Sequence, residues 1–484
     1  MPKAGIRVAD IPTPTPSEGE PRTAPPLTSF AALGTSEIVG RAIGFLATII
    51  LARRLGVEAF GYIGFATALL AYYGIALTAG FGDIGAREIA RHPEIHRRIT
   101  ADATLTRVLL AIGALILNTA IAFLFVPVVL QKLVLLFAGL TLITLALDPT
   151  WAYRGLGRNR TAAIAFLLSQ LIYLTGVVKM VHGRAETSTV PLIQFVADLV
   201  AATLLLSLLF RRSIPLPSLT RGWAMFRQAG SITIARIIRT SIVTFDVLLL
   251  AILAGSRDVG LYTAAYRVCM LATMIAVATH VAYLPSVTRA ADSGRDRLSL
   301  VLSRSISLTS AVILPIVLGG MVLAGPLLVL LFGGEYRPAA AALQILLASI
   351  GILALHGTTH TVFVALHETR REMMIFGAGA ALNIILNLLL IPPFALTGAA
   401  FATLAAEMLI LALCALSLDK WGVRPNVSHI LPPLAASGAM ALSLFLVMQK
   451  LPTWALIPIG GVIYLVIFAL TGGLSRTLRE AKAE

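Results

Sequence analysis

Apolar stretches of about twenty residues alternate with short polar or glycine- and proline-rich breaks from Thr28 onward. A helix needs about 20 mainly apolar residues to cross the hydrocarbon core of a bilayer. The pattern therefore predicts an all-α polytopic membrane protein with about 14 transmembrane helices. The predicted spans are 29–51, 60–80, 107–125, 130–148, 162–181, 190–210, 231–253, 261–284, 303–323, 340–364, 373–391, 397–417, 430–448 and 454–471.

A weak internal repeat connects the two halves of the chain. LARRLGVEAFG at 51–61 and LAILAGSRDVG at 250–260 align at an offset of 199 residues, which pairs Gly56 with Gly255 and Gly61 with Gly260. In both copies an apolar helix ends in a glycine-bounded turn and another apolar helix begins at once. An even number of spans separates the copies, so both enter the membrane in the same direction. The repeat predicts two six-helix lobes as parallel repeats, followed by two C-terminal helices.

This division gives the predicted domain boundaries. Residues 1–27 are rich in proline and lack an apolar core, which is typical of a disordered cytoplasmic tail. The N-lobe is predicted at 28–212 and the C-lobe at 230–418, joined by a cytoplasmic amphipathic linker at 213–229. Residues 419–484 hold spans 13 and 14 and a cytoplasmic tail.

Composition and charge narrow the class further. A chain of 484 residues with 58% hydrophobic and 13% charged residues is not an ordinary soluble globule. Its net charge of +15 would suit nucleic acid, but the Lys and Arg residues follow the topology, with 26 on one side of the predicted spans and 8 on the other. This bias predicts a cytoplasmic location for both termini and argues against a nucleic-acid partner. The two cysteines are far apart, and a GxxxxGK[ST] loop is absent, so the sequence indicates neither a disulfide nor an ATPase site.

Charged residues inside predicted spans are costly and often functional, at about 2.5–3.5 kcal/mol each at the membrane centre. Six of them lie on spans 1, 7 and 8. We interpret the four arginines as lining a central, water-filled cavity that binds an anionic headgroup, because guanidinium groups match phosphate oxygens. The acids are candidates for binding a proton or another coupling ion. The arginines are Arg41, Arg236, Arg239 and Arg267, and the acids are Glu37 and Asp246.

Structural roles are the alternative for these charges. Glu37 and Arg41 are spaced i, i+4 and could form a helical ion pair. Arg236 and Arg239 lie near the start of span 7, where long side chains can reach the membrane surface. Asp198 and Glu407 stand alone on their spans, which favours a role in helix packing.

Two further i, i+4 pairs have mainly structural interpretations. His356 and His360 share a helix face, but a third ligand and the HExxH pattern are lacking, so we predict a structural or cavity-lining pair and no metal site. Asn383 and Asn387 most simply form hydrogen bonds between helices.

Three stretches resemble the Wzx-type polysaccharide flippases of the multidrug/oligosaccharidyl-lipid/polysaccharide exporter superfamily. They are LARRLGVEAFGYIGFATALL with the later GFGDIGAREIAR, LLFGGEYRPAAAALQIL, and LNIILNLLLIPPFALTGAAFATLAAE. The resemblance covers nearly the whole chain after Thr28, but these motifs describe the scaffold of the family and do not specify a sugar.

The resemblance implies that the chain is a transporter, without a cofactor, that flips undecaprenyl-diphosphate-linked oligosaccharide repeat units across the bacterial inner membrane. The end product would be exopolysaccharide, capsule or O-antigen, with a polysaccharide polymerase and chain-length proteins as partners. A lipid II flippase and a cation-coupled multidrug exporter of the same superfamily are the alternatives. A membrane-embedded enzyme is disfavoured because the predicted outer loops are short.

Overall fold

The computed structural model describes the backbone of residues 27–78 and 80–473. Side chains are described from Ile38 onward, except at positions 79, 231, 232, 235, 239, 242 and 243 and after position 473. The predicted tail segments at 1–26 and 474–484 therefore lie outside the described residues. In the described part the chain is all α-helical, as the sequence predicts.

The first half of the chain forms α1 to α8 and the short α9 that follows them. Their bounds are α1 Leu27–Thr78, α2 Ala86–Arg91, α3 His96–Phe125, α4 Val129–Gly139, α5 Thr141–Leu147, α6 Thr150–Gly155, α7 Asn159–Met180, α8 Thr189–Leu209 and α9 Leu219–Gln228.

The second half forms α10 to α17. Their bounds are α10 Gly230–Leu253, α11 Ser256–Ser293, α12 Arg295–Val322, α13 Ala324–Phe332, α14 Ala340–Ala365, α15 Thr369–Lys420, α16 Leu431–Val447 and α17 Thr453–Leu470.

Eleven stretches of the described chain are helical, long and apolar enough to cross a membrane. Two of the helices, α1 and α15, have 52 residues each and are bent at one non-helical residue, Gly56 (φ 76°, ψ 171°) and Ala395 (φ 47°, ψ −127°). The bend in α15 follows Pro392 and Pro393, which lack the N–H that an uninterrupted helix requires. If each half of α1 and α15 crosses the membrane separately, and α10 crosses as well, the architecture is compatible with the predicted fourteen spans.

The two ends of the helix bundle can be named by their turns. The Gly56 face carries the turns at Gly56 and Gly255, and the Gly80 face carries the segment from Gly80 to His96 together with α9. On the Gly80 face, Arg221 of α9 donates to Asp102 of α3 at 2.6 Å, and Trp223 packs on Phe226. The α9 helix, which carries these basic and aromatic side chains, lies within the linker predicted at 213–229.

The buried core is distributed unevenly between the two faces. The largest buried cluster joins both halves of the chain and includes Leu51, Phe60, Leu250 and Tyr262, all near the Gly56 face. Toward the Gly80 face the core divides into separate clusters, one built from α2, α3 and α6 to α8 and others from α11, α12, α14 and α15. The two halves are therefore packed together most continuously near the Gly56 face.

Candidate functional site: an arginine-containing cavity

A cavity of about 440 Å³ lies among α1, α4, α5, α7, α8 and α11. This volume is within the range of small-molecule sites, about 300–1,000 Å³. The walls are mostly apolar, with a limited number of polar side chains. The polar and charged lining residues are Arg41, Thr48, Thr67, Thr141, Gln170, Tyr173, Gln194 and Arg267.

Arg41 and Arg267 enter the cavity from the two halves of the chain. Arg41 lies 15 residues before Gly56, about 22 Å from that face, and Arg267 lies 11 residues after Ser256, about 17 Å from it, at 1.5 Å per residue. Both are thus near the middle of the bundle. A guanidinium of Arg41 also approaches the sulfur of Met274 at 3.8 Å. Among the described lining residues these arginines carry the only formal charges, so the cavity is electropositive.

The other polar groups suit a neutral, hydroxyl-rich ligand. Gln170 and Gln194 each offer both donors and acceptors, and Tyr173 and the threonines add hydroxyl groups. Sugar hydroxyls require such two-way partners, whereas diphosphate oxygens require donors. The cavity combines both types of group within one apolar wall.

The cavity is closed toward the Gly56 face by close backbone contact between the two copies of the repeat. A Cβ atom added at Gly61 would lie 1.9 Å from the carbonyl oxygen of Ser256, and one added at Gly260 would lie 1.9 Å from the carbonyl oxygen of Val57. Val57 and Ser256 differ by the same 199 residues as the two glycines. The contact is therefore reciprocal, as in a twofold-symmetric interface. Gly255 (φ 94°, ψ 173°) also repeats the backbone angles of Gly56, so the structure confirms the repeat at this joint.

Side chains strengthen the closure at the Gly56 face. Arg53 at the end of the first half of α1 donates to the carbonyl oxygens of Leu330 and Leu331, which end α13. Tyr336 donates in turn to the carbonyl oxygen of Ala52 at 3.0 Å. The LLFGGEYRPA stretch therefore connects α13 and α14 to α1, which gives this motif of the resemblance a structural explanation.

Arg236 lies away from the cavity, at the Gly80 face. Its guanidinium donates to the Asp83 carboxylate at 2.8 Å, and both side chains are half exposed. A Cβ atom built at Gly80 would lie 1.7 Å from the Cβ of Ala229, so the two halves of the chain also touch here. The side chains of Glu37 and Arg239 lie outside the described residues, and the roles assigned to them from the sequence stay predictions.

Asp246 also lies away from the cavity, in a polar cluster of α10, α11 and α15. The carboxylate is buried and accepts hydrogen bonds from Tyr262 at 2.7 Å, Asn387 at 2.6 Å and Thr403 at 2.6 Å. The interhelical hydrogen bond predicted for the asparagine pair is made by Asn387, which donates to Asp246 of α10, and Asn387 also donates to Asn383 within α15. The sequence grouped Asp246 with the arginines because it could not show which helices would surround it.

The remaining acids within the bundle have local partners. Asp198 accepts from Ser169 and Gln194 at 2.7 and 2.9 Å, and Glu407 contacts His356 at 2.6 Å. His360 contacts Glu372, so the two histidines point to separate carboxylates. Among the described residues no group of three or more His, Cys, Asp or Glu is placed to hold a metal ion.

Several site residues were missed by sequence reasoning. Gln170, Tyr173 and Gln194 are uncharged and isolated in apolar spans, and Asp83 is one of several acids in a polar loop. A charge inside an apolar span identifies arginines as candidate site residues, but it does not identify uncharged amides such as Gln170 and Gln194. A search for polar, uncharged residues on the same face of neighbouring spans could have found the amides.

Solved structures share this architecture. A lipid II flippase MurJ in an inward closed conformation superposes with a TM-score of 0.75, at 13% identity, over 91% of this chain and 99% of that protein. An inward-facing multidrug resistance MATE family transporter of the MOP superfamily gives 0.67, at 14% identity, over 81% of this chain and 99% of that protein. These likenesses show that the chain has the fold of these transporters.

Sequence comparison gives the family. The model described as polysaccharide biosynthesis protein matches residues 27–291, and the model described as lipid II flippase MurJ matches residues 171–467. The chain belongs to the polysaccharide biosynthesis protein family and is a flippase of the multidrug/oligosaccharidyl-lipid/polysaccharide exporter superfamily. A relative described as probable flippase AglR, from the archaeon Haloferax volcanii, is 28% identical over 467 residues, covering 90% of this chain and 94% of the relative. The resemblance noted from the scaffold motifs is confirmed.

Proposed function

We propose that this flippase moves undecaprenyl-diphosphate-linked oligosaccharide repeat units across the bacterial inner membrane, for exopolysaccharide, capsule or O-antigen synthesis. The observation that carries the proposal is the cavity that contains Arg41 and Arg267 and, among its described lining residues, no carboxylate. A diphosphate needs fixed positive charge and forked donors, which two guanidinium groups supply.

The rest of the substrate fits the surroundings of the arginines. The glutamines, threonines and tyrosine of the cavity would bind sugar hydroxyls, and the polyprenyl chain would remain in lipid between helices. The Gly61–Ser256 and Gly260–Val57 contacts close the Gly56 face, so loading would occur from the Gly80 face once the Gly80–Ala229 and Arg236–Asp83 contacts separate. Release would require the Gly80 face to close again and the contacts at the Gly56 face to separate, which is alternating access.

The positive-inside bias assigns the Gly80 face to the cytoplasm, with both termini on that side. In this orientation the substrate enters from the inner leaflet. The closed Gly56 face, on the opposite side, prevents its escape to the outside. The proposed N-lobe (28–212) and C-lobe (230–418) would move relative to each other about the amphipathic linker at 213–229.

Residues outside the cavity receive supporting roles. The Arg236–Asp83 pair joins the two halves at the Gly80 face and would separate or form as that face opens and closes. Arg239 stays proposed as a substrate-binding residue and Glu37 as a candidate for binding a coupling ion. Asp246 is proposed as the acid that couples transport to an ion gradient, because it is a buried carboxylate that joins α10, α11 and α15 through its hydrogen bonds.

A lipid II flippase is the second candidate. The MurJ family model matches residues 171–467, and the MurJ structure superposes well. Lipid II also carries a polyprenyl diphosphate, so the arginine cavity suits both substrates. A multidrug exporter is disfavoured, because a cavity for cations would place carboxylates where this one has arginines.

The proposal is tested by depleting the protein and locating lipid-linked oligosaccharides in the two leaflets. We expect diphosphate-linked repeat units to accumulate on the cytoplasmic leaflet, where mass spectrometry identifies the glycan. Accumulation of lipid II instead would establish the second candidate. Normal delivery of both to the outer leaflet would contradict the assignment of a lipid-linked saccharide as substrate.

A further inference from the structure

A second cavity, of about 300 Å³, lies within the first half of the chain, among α5, α6, α7 and α8. Thr141 and Gln194 line both this cavity and the arginine cavity, so the two cavities are neighbours. On α8, which leads to α9 at the Gly80 face, the arginine cavity is lined by residues up to position 194 and the second cavity by residues from position 194 to position 205. The second cavity therefore extends from the arginine cavity toward the Gly80 face.

The charge of this lining is opposite to that of the arginine cavity. Its charged residues are Asp148, between α5 and α6, and Asp198 on α8, and its described lining contains no lysine or arginine. The buried Arg107 of α3 is close by but is not a lining residue. Its guanidinium donates to the main-chain oxygens of Leu77 and Asp148 at 3.1 and 2.8 Å. The second cavity therefore presents carboxylates where the first presents guanidinium groups.

The threonine hydroxyls of the second cavity have already given their protons to the protein. Thr141 donates to the main-chain oxygen of Ala138 at 2.7 Å, and Thr144 donates to the main-chain oxygen of Thr141 at 2.9 Å. The Thr150 hydroxyl donates to the Asp148 carboxylate. A hydroxyl group has one proton, so these three oxygens offer only lone pairs to a ligand.

The two carboxylates keep free acceptor positions. Ser169 and Gln194 donate to the two oxygens of Asp198 at 2.7 and 2.9 Å. Because a carboxylate only accepts, the Gln194 amide directs its nitrogen to Asp198 and leaves its own oxygen free as an acceptor. A carboxylate has about four lone-pair sites, so Asp198 retains roughly two of them. The Oδ2 atom of Asp148 has no hydrogen-bond partner within the part of the chain that the structure describes, since Thr150 bonds only to Oδ1.

A cavity lined by acceptors requires a ligand that brings hydrogen-bond donors and no negative charge. Sugar hydroxyls are such donors, whereas phosphate and carboxylate groups are acceptors and would be repelled by Asp148 and Asp198. The volume is at the lower limit for small-molecule sites, which suits one part of a larger substrate. The arginine cavity has the opposite preference, so the two neighbouring cavities suit two chemically different parts of one molecule.

We propose that the second cavity is a subsite for an uncharged sugar of the lipid-linked oligosaccharide, held by Asp148, Asp198 and Gln194 while the diphosphate lies at Arg41 and Arg267. This inference rests on the proposed function, and it adds a rule of substrate selection. The flippase prefers a repeat unit whose sugar near the diphosphate is neutral over one whose sugar carries a carboxylate at that place. The carboxylates of the protein provide this selection by repelling the wrong substrate.

The test is a binding measurement on the full-length protein in lipid nanodiscs, with three probes that share one polyprenyl diphosphate. The first probe has no sugar, the second carries glucose, and the third carries glucuronic acid, which differs from glucose only in having a carboxylate in place of the terminal hydroxymethyl group. We expect the wild-type protein to bind the glucose probe about tenfold more tightly than the glucuronic acid probe, because two like charges meet in the second case.

Two variants remove the negative charge without changing the size of the side chain. Asp148→Asn and Asp198→Asn should each lose most of the preference for glucose, while the affinity for the sugar-free probe stays within about twofold of wild type, because that probe contacts only the arginine cavity. Asp296→Asn makes the same change at an exposed position of α12 and should keep the full preference. A purely structural role of the two aspartates would lower the affinity for the sugar-free probe as well.

The three probes distinguish failure of this inference from failure of the proposed function. Equal wild-type affinities for the glucose and glucuronic acid probes, or a preference that both aspartate variants retain, would overturn the sugar subsite and leave the flippase and its diphosphate site intact. An equal loss of affinity for all three probes in both variants would also overturn the subsite. A wild-type protein that does not bind even the sugar-free probe would overturn the proposed function, and this inference with it.

Discussion

The arginine cavity and the Asp246 cluster show how one chain treats buried charge in two ways. Arg41 and Arg267 face an open cavity of about 440 Å³, without a carboxylate among its described lining residues. Asp246 is enclosed by the hydroxyl and amide donors of Tyr262, Asn387 and Thr403. A guanidinium group that faces a cavity is placed to meet a ligand, whereas a carboxylate whose hydrogen bonds are satisfied by the protein supports packing or ion coupling. Each prediction below tests this contrast.

The largest effect is expected from reversing a charge in the cavity. Arg267→Glu should reduce export about a hundredfold, because like charges beside a diphosphate cost several kcal/mol and each 1.4 kcal/mol is a factor of ten. Arg257→Glu makes the same change ten residues earlier on α11, at an exposed position, and should leave export near normal. Surface polysaccharide is measured at matched protein levels. Equal export by both variants would remove Arg267 from the site.

Substitution in the Asp246 cluster should lower the stability of the protein as well. Asp246→Ala leaves the Tyr262, Asn387 and Thr403 donors without their acceptor, and should lower the free energy of unfolding by about 2 kcal/mol. Arg267→Gln should leave stability nearly unchanged, because the Arg267 side chain lines a cavity and its replacement keeps a polar group there. Thermal unfolding in detergent measures both. If Arg267→Gln destabilises the protein as much as Asp246→Ala, the contrast between the two regions fails.

The glycine contacts at the Gly56 face can be tested next. Gly260→Ala places a methyl group against the Val57 carbonyl and should disfavour the closed Gly56 face by about 1–2 kcal/mol. A cysteine placed at Thr48 in the cavity should then react roughly tenfold more with an impermeant maleimide added outside. Gly113→Ala is the control, since nothing lies within 4 Å of its added Cβ. Unchanged labelling in Gly260→Ala would show that this contact does not close the cavity.

The smallest effect is expected at the Gly80 face. The Arg236–Asp83 pair is half exposed, and such pairs contribute about 0–1 kcal/mol. Asp83→Asn should therefore change export by no more than about threefold, and exchanging the two residues, as Asp83→Arg with Arg236→Asp, should restore it. Loss of export in Arg236→Gln comparable with Arg267→Glu would instead place Arg236 in the substrate site.

The sequence predicted the scaffold better than the site. Span length and charge bias gave the helices and their order, and the Gly56/Gly255 offset gave the repeat, because these are local properties of the chain. The cavity was predicted with six charged residues, of which Arg41 and Arg267 line it. Asp246 and Arg236 are on the expected helices but have partners, Asn387 and Asp83, that are more than 140 residues away. Sequence spacing within one helix cannot show such contacts.

The central claim is that a lipid-linked diphosphate occupies the cavity between Arg41 and Arg267. It is tested most directly by placing a photo-reactive amino acid at Thr48, inside the cavity, or at Gly113, away from it, and adding radiolabelled undecaprenyl-diphosphate oligosaccharide to membranes. The account predicts cross-linking at Thr48 that exceeds cross-linking at Gly113 and is lost when Arg267→Gln is added. Equal cross-linking at both positions, or at Thr48 regardless of Arg267, would contradict it.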